Sequence, residues 1–257
     1  MDRIAAFAYT QARLQAHQGM RPDAGTWRRL DAVRDLAAFL RDARETALRP
    51  WVLGLEAGFT MHQMELALRR EFGSYVALTA SWQPREWQAA VDWVRHLPAL
   101  PALQYLLLGK PEYPWMLADP TLQAFAHLDP DARLTYLLHS EFAPLTNTWR
   151  AGIPLPAGWR QHWKSLWPHA PKALTAPLDA LADAIEEQMA AATGNPDADG
   201  WKMREDLEAQ LSLAFHHHIQ QPAAVFLHLA LVALDVEKLR AALVDRVLFP
   251  SVDKESP

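Results

Sequence analysis

The 257-residue chain sets 25 Lys and Arg against 30 Asp and Glu, a formal net charge of −5, and half of its residues are hydrophobic. That balance excludes the basic field on which nucleic-acid affinity rests, while the apolar content supports a packed core rather than a disordered chain. The absence of cysteine removes disulfide frameworks, thiolate nucleophiles and cysteine-based zinc sites.

Apolar positions recur at three and four along the whole chain and strict alternation is nearly absent, which predicts an all-α fold. The opening MDRIAAFAYTQARL is amphipathic and has no long apolar stretch, so no secretory signal is expected. Helices are predicted over 2–18, 27–48, 60–80, 84–97, 101–109, 120–127, 130–141, 157–167, 175–193, 200–220 and 222–247. Thr60 with Gln63 has capping-box spacing. Asp119-Pro120 and Asp129-Pro130 each offer an N-cap followed by proline at the first helical position. Gly194 before Asn195-Pro196 reads as a helix end. The longest nearly apolar run, Ala223 to Leu234, is broken only by His228 and has 12 residues. A membrane-spanning helix needs about 20, so the protein is expected to be soluble and cytoplasmic, without a span of its own.

Composition shifts in the middle. Residues 109–172 are rich in proline and tryptophan, and they divide the chain into an N-terminal helical half (1–110), a Pro/Trp-rich junction (111–172) and a C-terminal helical half (173–257). The halves share a pattern. Met64-Glu65-x-x-Leu68-x-x-x-Phe72-x-x-x-Val76 recurs as Leu207-Glu208-x-x-Leu211-x-x-x-Phe215-x-x-x-Ile219, and each copy is followed, after a proline, by a strongly apolar helix. The expected architecture is a helical repeat bundle of about two related multi-helix halves.

His216, His217 and His218 stand side by side, and histidine is the commonest transition-metal ligand. On a helix, successive residues diverge by about 100°, and a helical metal site wants ligands at i and i+3 or i+4. Four residues away from these histidines lie Ser212, Gln220, Leu213, Gln221, Ala214 and Pro222, so the run reads as the polar end of a helix. His62-x-x-Glu65 is a single ligand pair and reads as a capped helix start. Gly109-Lys110 lacks the first glycine and the Ser or Thr of a phosphate loop. Glu186 and Glu187 are adjacent and point apart. No catalytic residue, metal or cofactor is expected.

Eleven tryptophans are an excess. Trp159, Trp163 and Trp167 recur at i, i+4 and i+8, with Arg160 and Lys164 beside them. The stripe reads as core or as the seam between halves; the functional alternative is an anchor surface for a protein partner, since Trp and Arg dominate interface hot spots.

The two ends carry a resemblance. Tyr9, Ala12, Arg13 and Leu14, followed by Phe39, Leu40 and Thr46, resemble the opening helices of the C/d-type subunits of V-type and archaeal-type rotary ATPases. The closing stretch, with Leu207, Glu208, Leu211, Phe215, Asp235, Leu239 and Arg240, is similar to that family's final helices, with Lys238 where the family often has asparagine. The family is usually threefold repeated, and this chain has room for two clear units. The resemblance implies a non-enzymatic coupling subunit. Its partners would be the central stalk and the membrane rotor ring, and it would be cytoplasmic and peripheral on the membrane through the complex. Read from the residues alone, Tyr9 and Arg13 suit a contact on a buried helix face, and Asp235 and Arg240 suit polar ties between helices. The alternative from another class is a soluble all-α scaffold binding a protein partner through the Trp-rich segment.

Overall fold

A computed structural model describes residues 3–194 and 200–249, and among these only helices, turns and loops occur, with no strand. The all-α expectation holds. The chain packs as two compact units, Met1–Pro84 with Ala170–Pro257, and Arg85–His169. The expected N- and C-terminal halves therefore supply one unit together, and residues 85–110 join the Pro/Trp-rich middle in the other.

The first unit contains α1 (Arg3–Gly19), α2 (Ala24–Asp31), α3 (Leu36–Ala43), α4 (Arg49–Val52) and α5 (Met61–Ser81), and later α13 (Lys172–Gly194), α14 (Gly200–His217) and α15 (Ala223–Leu248). The second contains α6 (Arg85–Asp92), a 3-10 turn at Trp93–Ala99, α7 (Leu100–Leu107), α8 (Pro114–Leu117), α9 (Gln123–Ala126) and α10 (Pro130–Leu137). A 3-10 turn at Ala143–Leu145, α11 (Thr146–Arg150) and α12 (Leu155–Ser165) complete it. Gly194 is the last described residue of α13; Asn195 and Pro196, expected to end that helix, lie outside the described residues.

Local chemistry explains where helices start and stop. The Thr60–Gln63 capping box forms: Gln63 N–H donates to Thr60 Oγ1 at 3.3 Å and Thr60 N–H donates to Gln63 Oε1 at 2.7 Å. The single helix expected over 27–48 is instead broken. The Asp35 carboxylate accepts from Ala38 N–H at 2.7 Å and starts α3 afresh, as N-cap carboxylates do. The freed end of α2 is held by Arg246 of α15, which donates to Leu30 O and Val33 O at 2.9 and 2.8 Å while its guanidinium carbon lies 4.0 Å from the Phe39 ring centre. Over 120–127 the helix shortens to α9, because Asp119 Oδ1 accepts from Thr121 N–H and builds a turn there.

The core of the first unit runs from Trp27, Leu40 and Val52 through Leu68 to Leu239 and Leu243. Both α5 and α14 pack against α15. Met64, Leu68, Phe72 and Val76 form one buried stripe, and Leu207, Leu211 and Phe215 another. The correspondence stops there. Ile219 is 38% exposed where Val76 is 0%, because α14 ends at His217. The helix after the second copy, α15, runs 26 residues unbroken, whereas 84–108 is divided by the turn containing Pro98. The two related halves are not confirmed.

In the second unit, Arg133 is 2% exposed and holds four carbonyls. Its Nε donates to Phe125 O and Leu128 O, its Nη1 to Leu106 O and Lys110 O, and Nη2 lies 3.5 Å from a Glu112 carboxylate oxygen. One guanidinium thus fastens the end of α7, the turn after α9 and the 108–112 loop. Elsewhere α12 passes close to α11: a Cβ on Gly158 would collide with Thr148 Oγ1 and stand 3.1 Å from Thr148 Cβ. Gly158→Ala should destabilise the protein by about 1–3 kcal/mol, the usual cost of overpacking. Thr148→Ala added to it should recover part of that loss, as measured by chemical denaturation of both variants.

Candidate functional site

A group of interacting polar side chains in the first unit gathers where α1, α5 and α15 meet. It exists because α15 carries a histidine within an apolar run, and a buried polar group must find partners. His228 is 0% exposed. Its Nδ1 lies 3.0 Å from Gln18 Oε1 and its Nε2 2.7 Å from Tyr75 Oη. An amide oxygen only accepts, so Nδ1 carries the proton and Nε2 accepts from the tyrosine hydroxyl. Burial, with Arg21 and His17 nearby, pushes the His228 pKa down to about 3. Burial also raises the Tyr75 phenol above its ordinary range. Both groups are thereby held in their neutral forms. With no exposed surface on the imidazole, the pair ties three helices together rather than presenting a base to a substrate.

Next to it, Arg21 follows the end of α1 and makes two contacts with Asp235 of α15, from Nε at 2.6 Å and from Nη2 at 3.1 Å. The same Nη2 reaches Glu208 of α14 at 2.8 Å. The two carboxylates hold the guanidinium pKa above its ordinary value against the opposing effect of burial. Burial pushes the Asp235 carboxyl up, opposed by Arg21. Removing one member of such a pair leaves a buried charge uncompensated, at a typical cost of about 3–5 kcal/mol. On the exposed side, Arg240 contacts Glu65 of α5 at 3.2 Å. Asp235 and Arg240 do tie α15 to other helices. Lys238, the departure from the family pattern, lies 4.8 Å from the Trp27 ring centre.

The outer edge of α1 corrects one expectation. The Arg13 guanidinium does contact the Tyr9 ring, at 4.8 Å, and also the Trp82 ring, at 5.4 Å. The face is exposed, however, not buried: Tyr9 is 57% accessible. Turning Leu14 into the core carries Tyr9 and Arg13 outward. Of the other residues that carry the resemblance, Phe39, Leu40, Leu207, Leu211, Phe215 and Leu239 are buried. The Thr46 hydroxyl donates to Ala43 O at 2.7 Å and accepts from Leu48 N–H, closing the turn after α3.

The tryptophan stripe is mostly core. Trp159 and Trp163 are buried; their rings stack 5.6 Å apart, and Trp167 meets Trp163 edge-on at 4.8 Å. Trp159 and Trp93 exchange hydrogen bonds, each indole N–H donating to the other's carbonyl, at 3.2 and 3.4 Å. Of the stripe, only Trp167 reaches the surface in part. His96 belongs to the same aromatic core. Burial and Arg95 lower its pKa to about 4, despite a carboxylate oxygen of the exposed Glu141 at 3.7 Å from Nδ1.

The histidine run ends α14. His216 and His217 are exposed, and His218 Nδ1 lies 2.9 Å from Gln221 Oε1. Gln220 turns the chain with a left-handed φ of 62°, and its N–H donates to Gln11 Oε1 of α1 at 3.0 Å. The described residues contain no group of three or more His, Asp or Glu placed to hold a metal ion. Glu65 of the His62–Glu65 pair is taken up by Arg240, and Lys110 gives its carbonyl to Arg133. Glu186 is exposed, whereas the side chain of Glu187 lies outside the described residues. The sequence signal for the interior cluster was His228 itself, a lone polar residue in an apolar run; its partners are remote in the chain. No family model, no curated protein and no solved structure matches this chain.

A pH dependence follows from the two buried histidines. Each has a folded pKa below the ordinary 6.5, so the stability it contributes is complete above 6.5 and is lost as pH falls toward about 3 for His228 and about 4 for His96. At about pH 5 each should have lost about 2 kcal/mol relative to pH 8. His228→Gln should flatten that loss in the first unit while lowering stability at pH 8, as measured by denaturant midpoints at both pH values.

Proposed function

We propose that this chain is a non-catalytic coupling subunit of the C/d type, linking the central stalk to the membrane rotor ring of a V-type or archaeal-type rotary ATPase. The observation that supports it is the meeting of the two chain ends that carry the resemblance. They lie in one compact unit, with Leu14, Phe39, Leu40, Leu211, Phe215 and Leu239 in its interior and with Arg21 joining the first end to Asp235 and Glu208 of the last. A coupling subunit transmits force through interfaces and needs a body that resists deformation. The buried ties on α15 supply such resistance within this unit, since packed, hydrogen-bonded interiors deform little. No helix among the described residues is long and apolar enough to cross a membrane, so in this reading the subunit sits on the cytoplasmic side, attached through its partners. Trp159 and Trp163, being buried, are set aside as anchors, which removes the particular support for a scaffold acting through that stripe.

Affinity purification of the tagged full chain from membranes of its source cell in mild detergent tests the proposal. Co-purification of rotary-ATPase stalk and ring subunits in stoichiometric yield is the expected outcome. Recovery of soluble, unrelated partners alone would remove the rotary assignment.

A further inference from the structure

One end of the first unit differs in charge from the rest of this acidic chain. Residues 3–22, 72–84 and 209–234 contain no Asp or Glu, and the structure brings all three runs together. The Thr10 hydroxyl donates to Trp82 O at 2.6 Å, the His17 and Trp82 ring centres are 4.9 Å apart, and Gln11 accepts from Gln220 N–H. Apart from the tyrosines and the buried His228, the ionisable side chains described in these runs are Arg13, His17, His216, His217 and His218, while Arg21 is committed to Asp235 and Glu208.

Among the side chains described in these runs, Arg13 is the exposed guanidinium, and it is held in place. Its guanidinium lies over the Tyr9 and Trp82 rings. Where a guanidinium meets a ring by its flat face, its N–H edge stays available for a planar, two-oxygen acceptor. The carbonyls closing α5 do not claim that edge: Thr10 takes Trp82 O, and Gln83 Nε2 takes Thr79 O at 3.1 Å. Arg13 forms no ion pair with any described residue, and the Tyr9 ring beside it is exposed. A planar cation held beside an exposed tyrosine, among runs of chain that carry no Asp or Glu, matches an acidic residue of a polypeptide. Lipid headgroups and nucleic acid are bound instead through several clustered Lys and Arg.

We propose that the Tyr9–Arg13–Trp82 corner is a docking point for a carboxylate on an acidic segment of a protein partner. The inference stands apart from the rotary assignment, since it depends on charge and ring geometry alone.

Fluorescence anisotropy of the full chain with fluorescein-labelled decaglutamate at neutral pH and low ionic strength tests it, with labelled decaglutamine as the uncharged probe. Decaglutamate should bind and decaglutamine should not. Arg13→Ala should weaken binding about tenfold, the range of a charge-assisted hydrogen-bonded contact, and Tyr9→Ala about threefold by releasing the guanidinium. Arg13→Lys should fall between wild type and Arg13→Ala, because it keeps the charge and loses the planar fork. Arg150→Ala, an exposed arginine in the other unit, should leave binding unchanged. Circular dichroism checks that each variant is folded, and if Arg13→Ala is not, Arg13→Lys and Tyr9→Ala decide. Absence of decaglutamate binding, or equal binding by the Arg13 variants and wild type, would overturn the proposal. Tighter, equally Arg13-dependent binding of phosphatidylglycerol vesicles or duplex DNA would overturn it in favour of a general polyanion surface.

Discussion

The first half of α15 cannot face water on any side. From Ala223 to Leu229 every residue is buried, His228 included, and burial continues at Leu231 and Val232. A helix apolar all round must be enclosed, and α15 is enclosed by α1, α5, α13 and α14, with α3 against it as well. The discontinuity of the first unit follows. Elements from both chain ends are needed to surround one helix, so the intervening Arg85–His169 folds as a unit of its own.

Enclosure creates a second requirement. His228, Asp235 and Arg246 occupy buried positions on α15, and each would be costly there without partners. Each receives them from a different element: Gln18 and Tyr75 for His228, Arg21 for Asp235, and the carbonyls of Leu30 and Val33 for Arg246. Hydrophobic burial alone fixes neither the depth nor the rotation of a helix. These polar ties do, because each is satisfied only at one register. Arg133 plays the corresponding part in the second unit, where α7 to α10, of four to eight residues each, offer little packing area of their own.

What could be read from sequence divides along the same line. Signals contained within a few residues were legible: the Thr60–Gln63 box, the apolar run of α15, the i, i+4 stripes of α5 and α14. Signals needing a remote partner were not. Asp35 favours an N-cap over a helix interior, but Asp31 and Asp42 in the same stretch share that preference, and the arginine that holds the end of α2 stands at 246. His228 was visible as an interruption, but its partners Gln18 and Tyr75 lie 210 and 153 residues away. The tryptophans at 159 and 163 had the spacing of a stripe, yet spacing alone does not say whether a stripe faces core or solvent. The partner indole, Trp93, comes from 66 residues earlier. The repeat is left unconfirmed for a related reason. Five positions at helical spacing specify a helix face, and any two helices that pack on an apolar neighbour need such a face.

The same physics separates what this molecule can use for recognition from what it needs to fold. A polar group committed to a buried partner has its hydrogen bonds already assigned, and changing it alters stability before it alters binding. Arg21, Asp235, Arg133 and the His228 cluster are of this kind. Arg13 is of the other kind. The Tyr9 and Trp82 rings lie against it and it forms no ion pair with a described residue, while Leu14 beside it, at 1% exposure, anchors α1 independently. Two neighbouring residues thus divide the work: Leu14 fixes the helix, and that fixed helix sets where Arg13 stands. Preorganisation of this sort lowers the entropy that binding must overcome. The rigidity conferred by the buried ties and the recognition offered at the α1 surface are therefore parts of one arrangement, with α15 holding α1 in place.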